Sequence, residues 1–567
     1  MKEFNLGEVT VRCLVNRGLE KDKEIEDFLY PSIDKLHDPL KLKDMETACD
    51  ILLNKIRKRK KIRIIGDYDV DGITSTYILY RTLSKLKGKV DYEIPDRVDD
   101  GYGINIRMVK DAYEQGVDTI LTCDNGIVAN EQISLAKEYG MTVIITDHHS
   151  LAESDEGEEI LPMADAIINP KQKYCEYPFK ELCGAAIAYK LIEALLEHYD
   201  IADKETYLEE MISYAAIATI CDVMDLVEEN RIIVKNGLEF LKKTSNKGLL
   251  ALLDANKIDK ERLNTYHLGF VIGPCLNASG RLDSAKLGLE LLLAPNREKA
   301  AVLAQELRDL NELRKEMTNQ NVEKAMKKIE DSPLKQDKVL CLYLEECHES
   351  IAGIIAGRIK ERYHRPTIIL TDSKDGAKGS GRSIEGYNMI EELMKVSHLL
   401  KKVGGHPMAA GLTLDADKIE ALRKDLNSNT SLTEDMLRPK VVIDVSLPLG
   451  YINYEMIDEL KLLEPFGKGN RKPLFAERDL KIKSAFIIGK NSTGIRFRVE
   501  NQYNKEMQAI YFGDVEEFFN YIRDRYGQEE VDKLKTGRES KVLLTVTYYP
   551  QINEYRGQKN IQLMIQN

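Results

Sequence analysis

The chain of 567 residues, with 43% hydrophobic and 31% charged residues and a net charge of −12, has the composition of a globular protein and is too long for a single core. It contains no run of about 18 uncharged apolar residues, so no membrane span is expected, and Met1–Asn16 lacks the apolar core of a secretory signal. The nine cysteines are scattered without a C-x-x-C pair, which favours reduced thiols in the cytoplasm over a disulfide framework or a zinc site.

The first part of the chain, residues 1–295, predicts an N-terminal helical region followed by a parallel, doubly wound α/β domain, because short apolar runs alternate with amphipathic segments from residue 61. The expected strands are Lys61–Ile65, Val90–Ile94, Thr119–Thr122, Thr142–Thr146 and Ala166–Ile168. The expected helices between them are Thr74–Leu86, Ile106–Gln115 and Ala129–Tyr139.

A long connecting helix is predicted for residues 296–332, since the helical pattern from Arg297 to Glu330 ends at Ser332-Pro333. Residues 333–430 return to strand–helix alternation and predict a smaller α/β domain. Residues 438–567 contain short β runs between Gly and Asn turns, beginning with Val441–Val445, and predict an OB-like β-barrel. This last segment holds 21 Lys and Arg against 18 Asp and Glu, a net charge of +3 in an otherwise acidic chain.

Three carboxylates follow the first predicted strand within five residues, at Asp67, Asp69 and Asp71, and glycines flank them. Carboxylates this close repel one another unless cations lie between them. An acidic surface turn would have the same sequence, so this pattern leaves both interpretations open.

Two further predicted strands run into Asp124 and into Asp147-His148-His149. Because ligands bind beyond the carboxyl ends of parallel strands, these side chains are expected at one edge of the sheet. Oxygen and imidazole ligands suit Mn²⁺ or Mg²⁺, and the histidines favour Mn²⁺. Asp222, at the end of an apolar helix, is a further candidate. The neighbouring Cys123 and Cys221 are interpreted as buried packing residues, not as ligands.

These segments, in this order, resemble the motifs of the DHH phosphoesterases. The resemblance implies two divalent cations, with Asp124 bridging them and Asp67 in or beside their coordination sphere. The implied metal ligands are Asp69, Asp71, Asp124, His148, His149 and Asp222, and these six together with Asp67 are the candidate catalytic residues. If His149 is not a full ligand, it could hydrogen-bond the phosphate at the cleaved bond.

Further blocks resemble the RecJ family within this group. They are Pro95–Arg97 with Asp100–Gly103, Gly273–Leu282, His348–Arg358, Gly379–Ser383, Gly404–Gly411 and Glu464–Gly467. The candidate substrate-binding residues carried by them are Arg97, Asn277, Arg281, His348, Ser380, Arg382 and His406. The sequence departs from the family pattern at Cys275, Cys347 and Ser350, where Arg, Trp and Gly are common.

Two of these blocks, Gly379–Ser383 and Gly404–His406, are interpreted as glycine-rich turns whose N–H groups can approach a phosphate. Arg281 and Arg382 could then hold the phosphate through two parallel hydrogen bonds. Arg97 is a candidate for binding a 5′-terminal phosphate; a salt bridge to Asp99 or Asp100 is the alternative.

The resemblance implies a 5′→3′ exonuclease that hydrolyses single-stranded DNA to mononucleotides in DNA repair and recombination. The expected partners are a single-strand binding protein and a helicase, and a monomer is expected. Aromatic candidates for stacking bases on the barrel are Tyr503, Tyr511, Phe512, Tyr548, Tyr549 and Tyr555. One alternative is a DHH phosphodiesterase acting on short RNA or cyclic dinucleotides, which usually lacks the barrel. Another is a non-catalytic DNA-binding relative, which would be expected to lose metal ligands.

Overall fold

The computed structural model describes residues 4–97, 100–154, 156–199, 201–282, 285–489, 493–555 and 557–566. The chain forms two compact units. The larger unit comprises His37–Asp222 and Gly237–Lys440, and the smaller unit comprises Met1–Leu36, Val223–Asn236 and Val441–Asn567. Within the described residues, no helix combines the length and the apolar character that crossing a membrane requires.

The helices of the described residues are, in chain order, α1 (Glu8–Val15), α2 (Asp22–Leu29), α3 (Met45–Arg57), α4 (Val70–Lys85), α5 (Ile106–Glu114), α6 (Asn130–Glu138), α7 (Gly184–Leu196), α8 (Lys204–Cys221), α9 (Glu228–Leu241), α10 (Lys247–Ala255), α11 (Thr265–His267), α12 (Gly273–Leu282), α13 (Lys286–Leu292), α14 (Arg297–Glu330), α15 (Glu349–Tyr363), α16 (Met389–Lys395), α17 (Ile419–Ser428), α18 (Tyr454–Leu460), α19 (Val515–Tyr526) and α20 (Gln528–Thr536). A π-helix, Leu268–Ile272, joins α11 to α12.

The strands are β1 (Lys61–Ile65), β2 (Lys89–Glu93), β3 (Thr119–Cys123), β4 (Thr142–Thr146), β5 (Ala152–Glu153), β6 (Glu159–Ile160), β7 (Ala166–Ile168), β8 (Leu340–Tyr343), β9 (Thr367–Ser373), β10 (Gly376–Arg382), β11 (Leu400–His406), β12 (Ala409–Leu414), β13 (Val445–Ser446), β14 (Phe475–Ile488), β15 (Gly494–Glu500), β16 (Glu506–Phe512), β17 (Leu543–Tyr555) and β18 (Gln558–Ile565).

The first sheet of the larger unit has the order β2-β1-β3-β4-β7, and all of its pairings are parallel. Its central strands β1, β3 and β4 are almost entirely buried, as expected for a parallel sheet covered by helices. The predicted doubly wound sheet is therefore confirmed. Its geometry brings the carboxyl ends of β1, β3 and β4 side by side.

The second sheet of the larger unit, with the order β11-β12-β10-β9-β8, follows the long helix α14, which begins and ends at the predicted residues. This sheet shows that the interpretation of the two glycine-rich blocks as turns is wrong, because both blocks lie on strands. Gly379–Arg382 lies on β10, which pairs with β9 on one side and β12 on the other. Gly404–His406 lies on β11, which pairs with β12. The N–H groups of β10 are therefore used between strands, and only side chains of this block can reach a phosphate.

The barrel of the smaller unit has the order β13-β14-β15-β16-β18-β17 and closes through β14 and β17. It confirms the predicted OB-like fold. The predicted strand Val441–Val445 is wrong except at its last residue, because Val441, Val442 and Ile443 are exposed and only Val445 begins β13. The helices α19 and α20, which lie between β16 and β17, were not predicted.

The core of the smaller unit draws on all three of its chain segments. Leu14 and Leu29 pack in the same cluster as Phe475 of the barrel. Arg231, which is 2% exposed, donates hydrogen bonds to the carbonyls of Phe28, Leu462, Leu463 and Glu464. A truncation near residue 438 would therefore remove carbonyl partners from a buried guanidinium, so point substitutions test the barrel more cleanly.

Candidate metal centre

The loop after β1 positions its carboxylates through hydrogen bonds to helix N-termini. Asp69 caps α4, since its Oδ1 accepts from the N–H groups of Asp71 (2.9 Å) and Gly72 (3.1 Å). Asp71 accepts from two N–H groups at the start of α7, those of Gly184 (2.6 Å) and Ala185 (2.7 Å). The positive ends of two helices thus favour the charged carboxylates in a buried loop.

Asp124, directly after β3, has left-handed backbone geometry with φ of 61°, which Asp tolerates better than most residues. It is 2% exposed. A Cβ atom on Gly184 would lie 2.7 Å from the Cβ of Asp124, so the close approach of α7 to this carboxylate requires glycine at that position.

His148, after β4, points its Nε2 at three carboxylates. The distances are 3.1 Å to Asp124 Oδ1, 3.5 Å to Asp71 Oδ2 and 3.8 Å to Asp222 Oδ2. Asp222 reaches this point from the C-terminal end of α8. His149 Nδ1 lies 4.0 Å from Asp124 Oδ1. All the candidate metal ligands thus meet at the carboxyl edge of the sheet.

The candidate ligands form three overlapping groups, and within each group the ligand atoms lie within 4.8 Å of one another. The groups are Asp67, Asp69 and Asp124; Asp124, His148 and His149; and Asp71, His148 and Asp222. Asp124 and His148 each belong to two groups. Asp124 Oδ1 and His148 Nδ1 are buried without a hydrogen-bond partner among the described residues. The unpartnered Asp124 Oδ1, which lies 3.1 Å from His148 Nε2, fits a divalent cation, and His148 would offer that Nε2 as its ligand atom.

The electrostatics of the site also favour cations. Burial, followed by the charge of Asp69, raises the pKa of Asp71 to about 6, and burial with the charge of Asp71 raises that of Asp222 to about 7. Burial and neighbouring carboxylates also raise the pKa values of Asp67 and Asp124. Burial lowers the pKa of His148. The site thus resists full ionisation until positive charge enters it.

Protein stripped of metal by chelator should therefore lose stability as the pH rises from about 4 to 7. The folded-state pKa values of Asp71 and Asp222, about 6 and about 7, lie above the ordinary 3.8, so the stability that these groups contribute at low pH is lost as the pH rises from the ordinary value to those values. Thermal midpoints measured in chelator should show the loss, and Mn²⁺ or Asp222→Asn should reduce it. A midpoint in chelator that does not fall over this range would contradict the prediction.

The sequence interpretation missed two residues that position the site, Asp147 and Tyr102. Asp147 accepts from the N–H groups of Ile127, His148 and His149 and lies 2.7 Å from His149 Nδ1. Burial opposes a charge on His149, but the hydrogen bond and charge of Asp147, together with the charges of Asp222 and Asp71, outweigh it and raise the pKa of His149 to about 9. The first position of the Asp-His-His triplet was the available signal for Asp147.

Tyr102 lies in a block that was recognised but given no role. Its hydroxyl donates to the carbonyl of Asp124 (2.7 Å) and lies 3.1 Å from His149 Nδ1. It therefore fixes the backbone of Asp124 and the ring of His149 relative to each other.

A group of arginines lies beside the metal centre. Burial, followed by the charge of Arg97, lowers the pKa of Arg281 to about 9. The same two causes lower the pKa of Arg382. Arg281 Nη1 donates to the carbonyl of Ser350 (2.6 Å), and Arg382 Nη1 lies 3.3 Å from Ser380 Oγ. Arg97 thus repels both Arg281 and Arg382, and an anion bound among these three partly buried guanidinium groups, here called the arginine cleft, would stabilise them.

Arg97 lies over the ring of Tyr68, with its Cζ 4.8 Å from the ring centroid. Of its two expected carboxylate partners, Asp99 lies outside the described residues. Asp100 is held by Arg107, at 2.7 Å and 3.0 Å. The structure therefore gives no support to a salt bridge between Arg97 and Asp100.

The remaining candidate substrate-binding residues have distinct positions. Asn277 Oδ1 accepts from the N–H of Val70 (3.1 Å). Helix α12 therefore holds the carboxylate-bearing loop after β1, residues 66–70, here called the metal loop. His348 caps α15, and its Nδ1 lies 2.7 Å from Ser350 Oγ. His406 is exposed at the end of β11.

The three departures from the family pattern lie in buried positions. Cys275 and Cys347 are 0% and 4% exposed, and Cys275 Sγ lies 3.4 Å from the side-chain nitrogen of Asn311. Cys275 therefore packs against α14. Cys123 is likewise buried, as interpreted from the sequence, and Cys221 is partly buried. Ser350 contacts the candidate substrate-binding residues His348 and Arg281, and Cys347 Sγ donates to the carbonyl of His348 (3.7 Å).

Three family models match the chain: the DHH family N-terminal domain at residues 61–220, the DHHA1 domain at residues 336–431 and the RecJ OB domain at residues 443–567. The single-stranded-DNA-specific exonuclease RecJ of Bacillus subtilis is 34% identical over 100% of this chain and 68% of its own length. The enzyme of that name from Escherichia coli is 34% identical over 89% and 92%. The crystal structure of RecJ from Thermus thermophilus in complex with Mn²⁺ matches with a TM-score of 0.81 and 26% identity, covering 100% of this chain and 76% of that one.

Proposed function

The chain belongs to the RecJ family of single-stranded-DNA-specific exonucleases, and we propose that it degrades its substrate from the 5′ end and releases mononucleotides. It is a metal-dependent exonuclease that acts on single-stranded DNA. A role in DNA repair is consistent with the relatives' name, and recombination is part of the same proposal. The polarity and the product rest on the placement of the arginine group beside the metal centre.

The observation that carries the proposal is that one helix, α12, connects the two sites. Asn277 binds the metal loop at Val70, and Arg281, one turn later, faces the arginine cleft. Residues four apart lie on the same face of a helix, about 5–6 Å from each other. A terminal phosphate held by Arg97, Arg281 and Arg382 would therefore lie at a constant, short distance from the cations, which suits removal of one nucleotide at a time.

The proposed ligands of two divalent cations, with Mn²⁺ favoured, are Asp69, Asp71, Asp124, His148, His149 and Asp222. When bound, such cations lower the pKa of water and neutralise phosphate oxygens. The protein's own contribution is to orient the groups around the phosphate. If His149 is not a full ligand, it is proposed to hydrogen-bond the phosphate at the cleaved bond, with its ring oriented by the contact of Nδ1 with Asp147 (2.7 Å).

The test is to incubate purified protein with Mn²⁺ and single strands labelled at either end. Mononucleotides released from 5′-labelled strands at the first turnover are expected, with 3′-labelled strands shortened progressively. Equal digestion from 3′ ends would overturn the polarity. The rival activity on short RNA or cyclic dinucleotides is not favoured, because the OB domain model matches residues 443–567. The complete set of candidate ligands argues against a non-catalytic relative.

The barrel is proposed to hold the incoming strand. Of the aromatic candidates, Tyr503 and Phe512 are exposed and Tyr511 is half-buried. The side chain of Tyr555 lies outside the described residues. Tyr548 and Tyr549 are buried at 0% and 5% exposure, so their assignment to base stacking is wrong: they fill the barrel core. An exposed ring beside a cation occurs instead at Phe486, directly opposite Arg496 on the neighbouring strand.

Replacing Phe486 and Arg496 together by Ala should weaken binding of long single strands by roughly 1–3 kcal/mol, because base stacking and a phosphate contact are lost. The dependence of affinity on salt should also become shallower. Cleavage of very short strands should be unchanged. The matched control is the same double change at Tyr521 and Arg525, an exposed aromatic–arginine pair on α19. Equal loss in both variants would contradict a specific role for the β14–β15 face.

The single-strand binding protein, the helicase, the monomeric state and the cytoplasmic location expected from the sequence stay predictions.

A further inference from the structure

Two large rings lie exposed and stacked on each other at Tyr266 and Phe270. Their centroids are 5.3 Å apart with 22° between the ring planes, and the residues are 61% and 69% exposed. They lie four residues apart, on α11 and on the π-helix that follows it. This pair, here called the ring pair, had no role in the interpretation of the sequence.

The ring pair lies on a segment that packs against the metal centre. A Cβ atom on Gly273 would lie 2.4 Å from Cys221 Sγ, and Cys221 Sγ donates to the carbonyl of Leu268 at 3.6 Å. Cys221 directly precedes the candidate ligand Asp222. The π-helix, a form that is frequent at functional sites, is therefore held against the last turn of α8.

The π-helix continues directly into α12, whose residues contact the other parts of the candidate site one after another along the chain. From Phe270 it passes Gly273 beside Cys221, then Asn277 at the metal loop, and ends near Arg281 in the arginine cleft. At about 1.5 Å per residue, roughly 16 Å of helix separates Phe270 from Arg281. Along this helical run, the contact of Asn277 with the metal loop comes between Phe270 and Arg281.

We propose that Tyr266 and Phe270 form a stacking platform for one nucleobase of the single-stranded substrate, on the 3′ side of the cleaved bond. The inference rests on the proposed function and adds to it a contact downstream of the metals. Exposed aromatic faces stack any of the bases, so such a platform holds a strand without reading its sequence. It would keep the next phosphodiester in line while the arginine cleft holds the 5′ end.

The other interpretation of the ring pair is local. Aromatic residues four apart stabilise an isolated helix by a few tenths of a kcal/mol, and this role would not depend on substrate. The two interpretations predict different affinities for a strand that lacks one base. Removing the base weakens binding if the rings stack on it, and has no effect if the rings only stabilise the helix.

The experiment uses full-length protein and short single strands that carry one abasic position, scanned from the 5′ end. Affinity is measured in chelator, to prevent turnover, and KM and kcat for the first nucleotide are measured with Mn²⁺. In the wild-type protein, one downstream abasic position should weaken binding about ten-fold. In the double variant Tyr266→Ala with Phe270→Ala, intact strands should bind about ten-fold more weakly, and that abasic position should have no further effect.

Matched controls separate stacking from folding. Tyr113 and Tyr139 form a second stacked pair, with centroids 4.4 Å apart, at the ends of α5 and α6 that lead away from the carboxyl edge of the sheet; Ala at both should leave the abasic profile unchanged. Tyr266→Phe with Phe270→Tyr keeps both rings and should restore affinity. If the double Ala variant does not fold, Phe270→Leu, which keeps an apolar side chain without a ring, decides instead.

An abasic profile that stays the same when the rings are removed, in an enzyme that still degrades single-stranded DNA, overturns the platform and leaves the proposed function standing. Wild-type protein that neither binds nor degrades single-stranded DNA overturns both. A rise in KM with little change in kcat, together with loss of the one sensitive position, supports the platform.

Discussion

Asp124→Asn should reduce exonuclease activity by several powers of ten, each of which corresponds to about 1.4 kcal/mol of activation barrier. Asp124 is the carboxylate shared by two of the three candidate ligand groups, so its loss should weaken binding of both proposed cations. An amide oxygen has no charge with which to balance them.

Asn is the informative replacement because residue 124 has a φ of 61°, which Asn adopts readily and Ala does not. The buried amide should leave the fold intact. It should also make metal-free protein at least as stable as the wild type, because one repelling carboxylate is removed. Activity, the thermal midpoint in chelator and the shift of that midpoint on adding Mn²⁺ are the three measurements. Near-normal turnover, or an undiminished Mn²⁺-induced shift, would reject the shared-ligand assignment.

Arg281→Ala and Arg382→Ala should each reduce the preference for 5′-phosphorylated over 5′-hydroxyl strands by roughly 1.5–3 kcal/mol, the usual strength of a charge-assisted hydrogen bond. A terminal phosphate carries more charge than an internal diester, so it gains more from clustered guanidinium groups. The preference is the ratio of kcat/KM for the two substrates, which cancels general losses of activity.

The control for these variants is Lys378→Ala, on the same strand as Arg382. That substitution removes an exposed cation already paired with Glu349 at 3.1 Å, so the 5′-phosphate preference should stay the same. If the preference survives in both arginine variants, the arginine cleft does not hold the 5′ phosphate. The short-substrate phosphodiesterase interpretation then regains support.

Local sequence patterns were sufficient for the parallel sheet and for gathering the carboxylates at one edge. β1, β4 and β7 begin and end at the predicted residues, because buried parallel strands are short apolar runs that end where polar residues begin. Since parallel strands end at a common edge, the positions of Asp69, Asp124 and His148 in the sequence already implied that they would meet.

Other features depended on contacts between residues far apart in the chain. Whether Gly379–Arg382 forms a turn or a strand was settled by its pairing with β9 and β12, since glycine permits both conformations and the neighbouring strands decide. Asp71 is held by the N–H groups of Gly184 and Ala185, more than a hundred residues away. The ring pair became visible only as exposed, stacked rings, because the four-residue spacing of Tyr266 and Phe270 is equally typical of a buried helix face.

The sequence alone therefore determined which kinds of residue end each strand, because strand periodicity and the chemistry of a carboxylate are local properties. The tertiary structure decided which backbone N–H groups are already paired, which rings stay in solvent and which chain segments complete the barrel core. These outcomes depend on the packing of distant segments, as in the burial of Arg231 among the carbonyls of Phe28 and Glu464, and local sequence does not encode such packing.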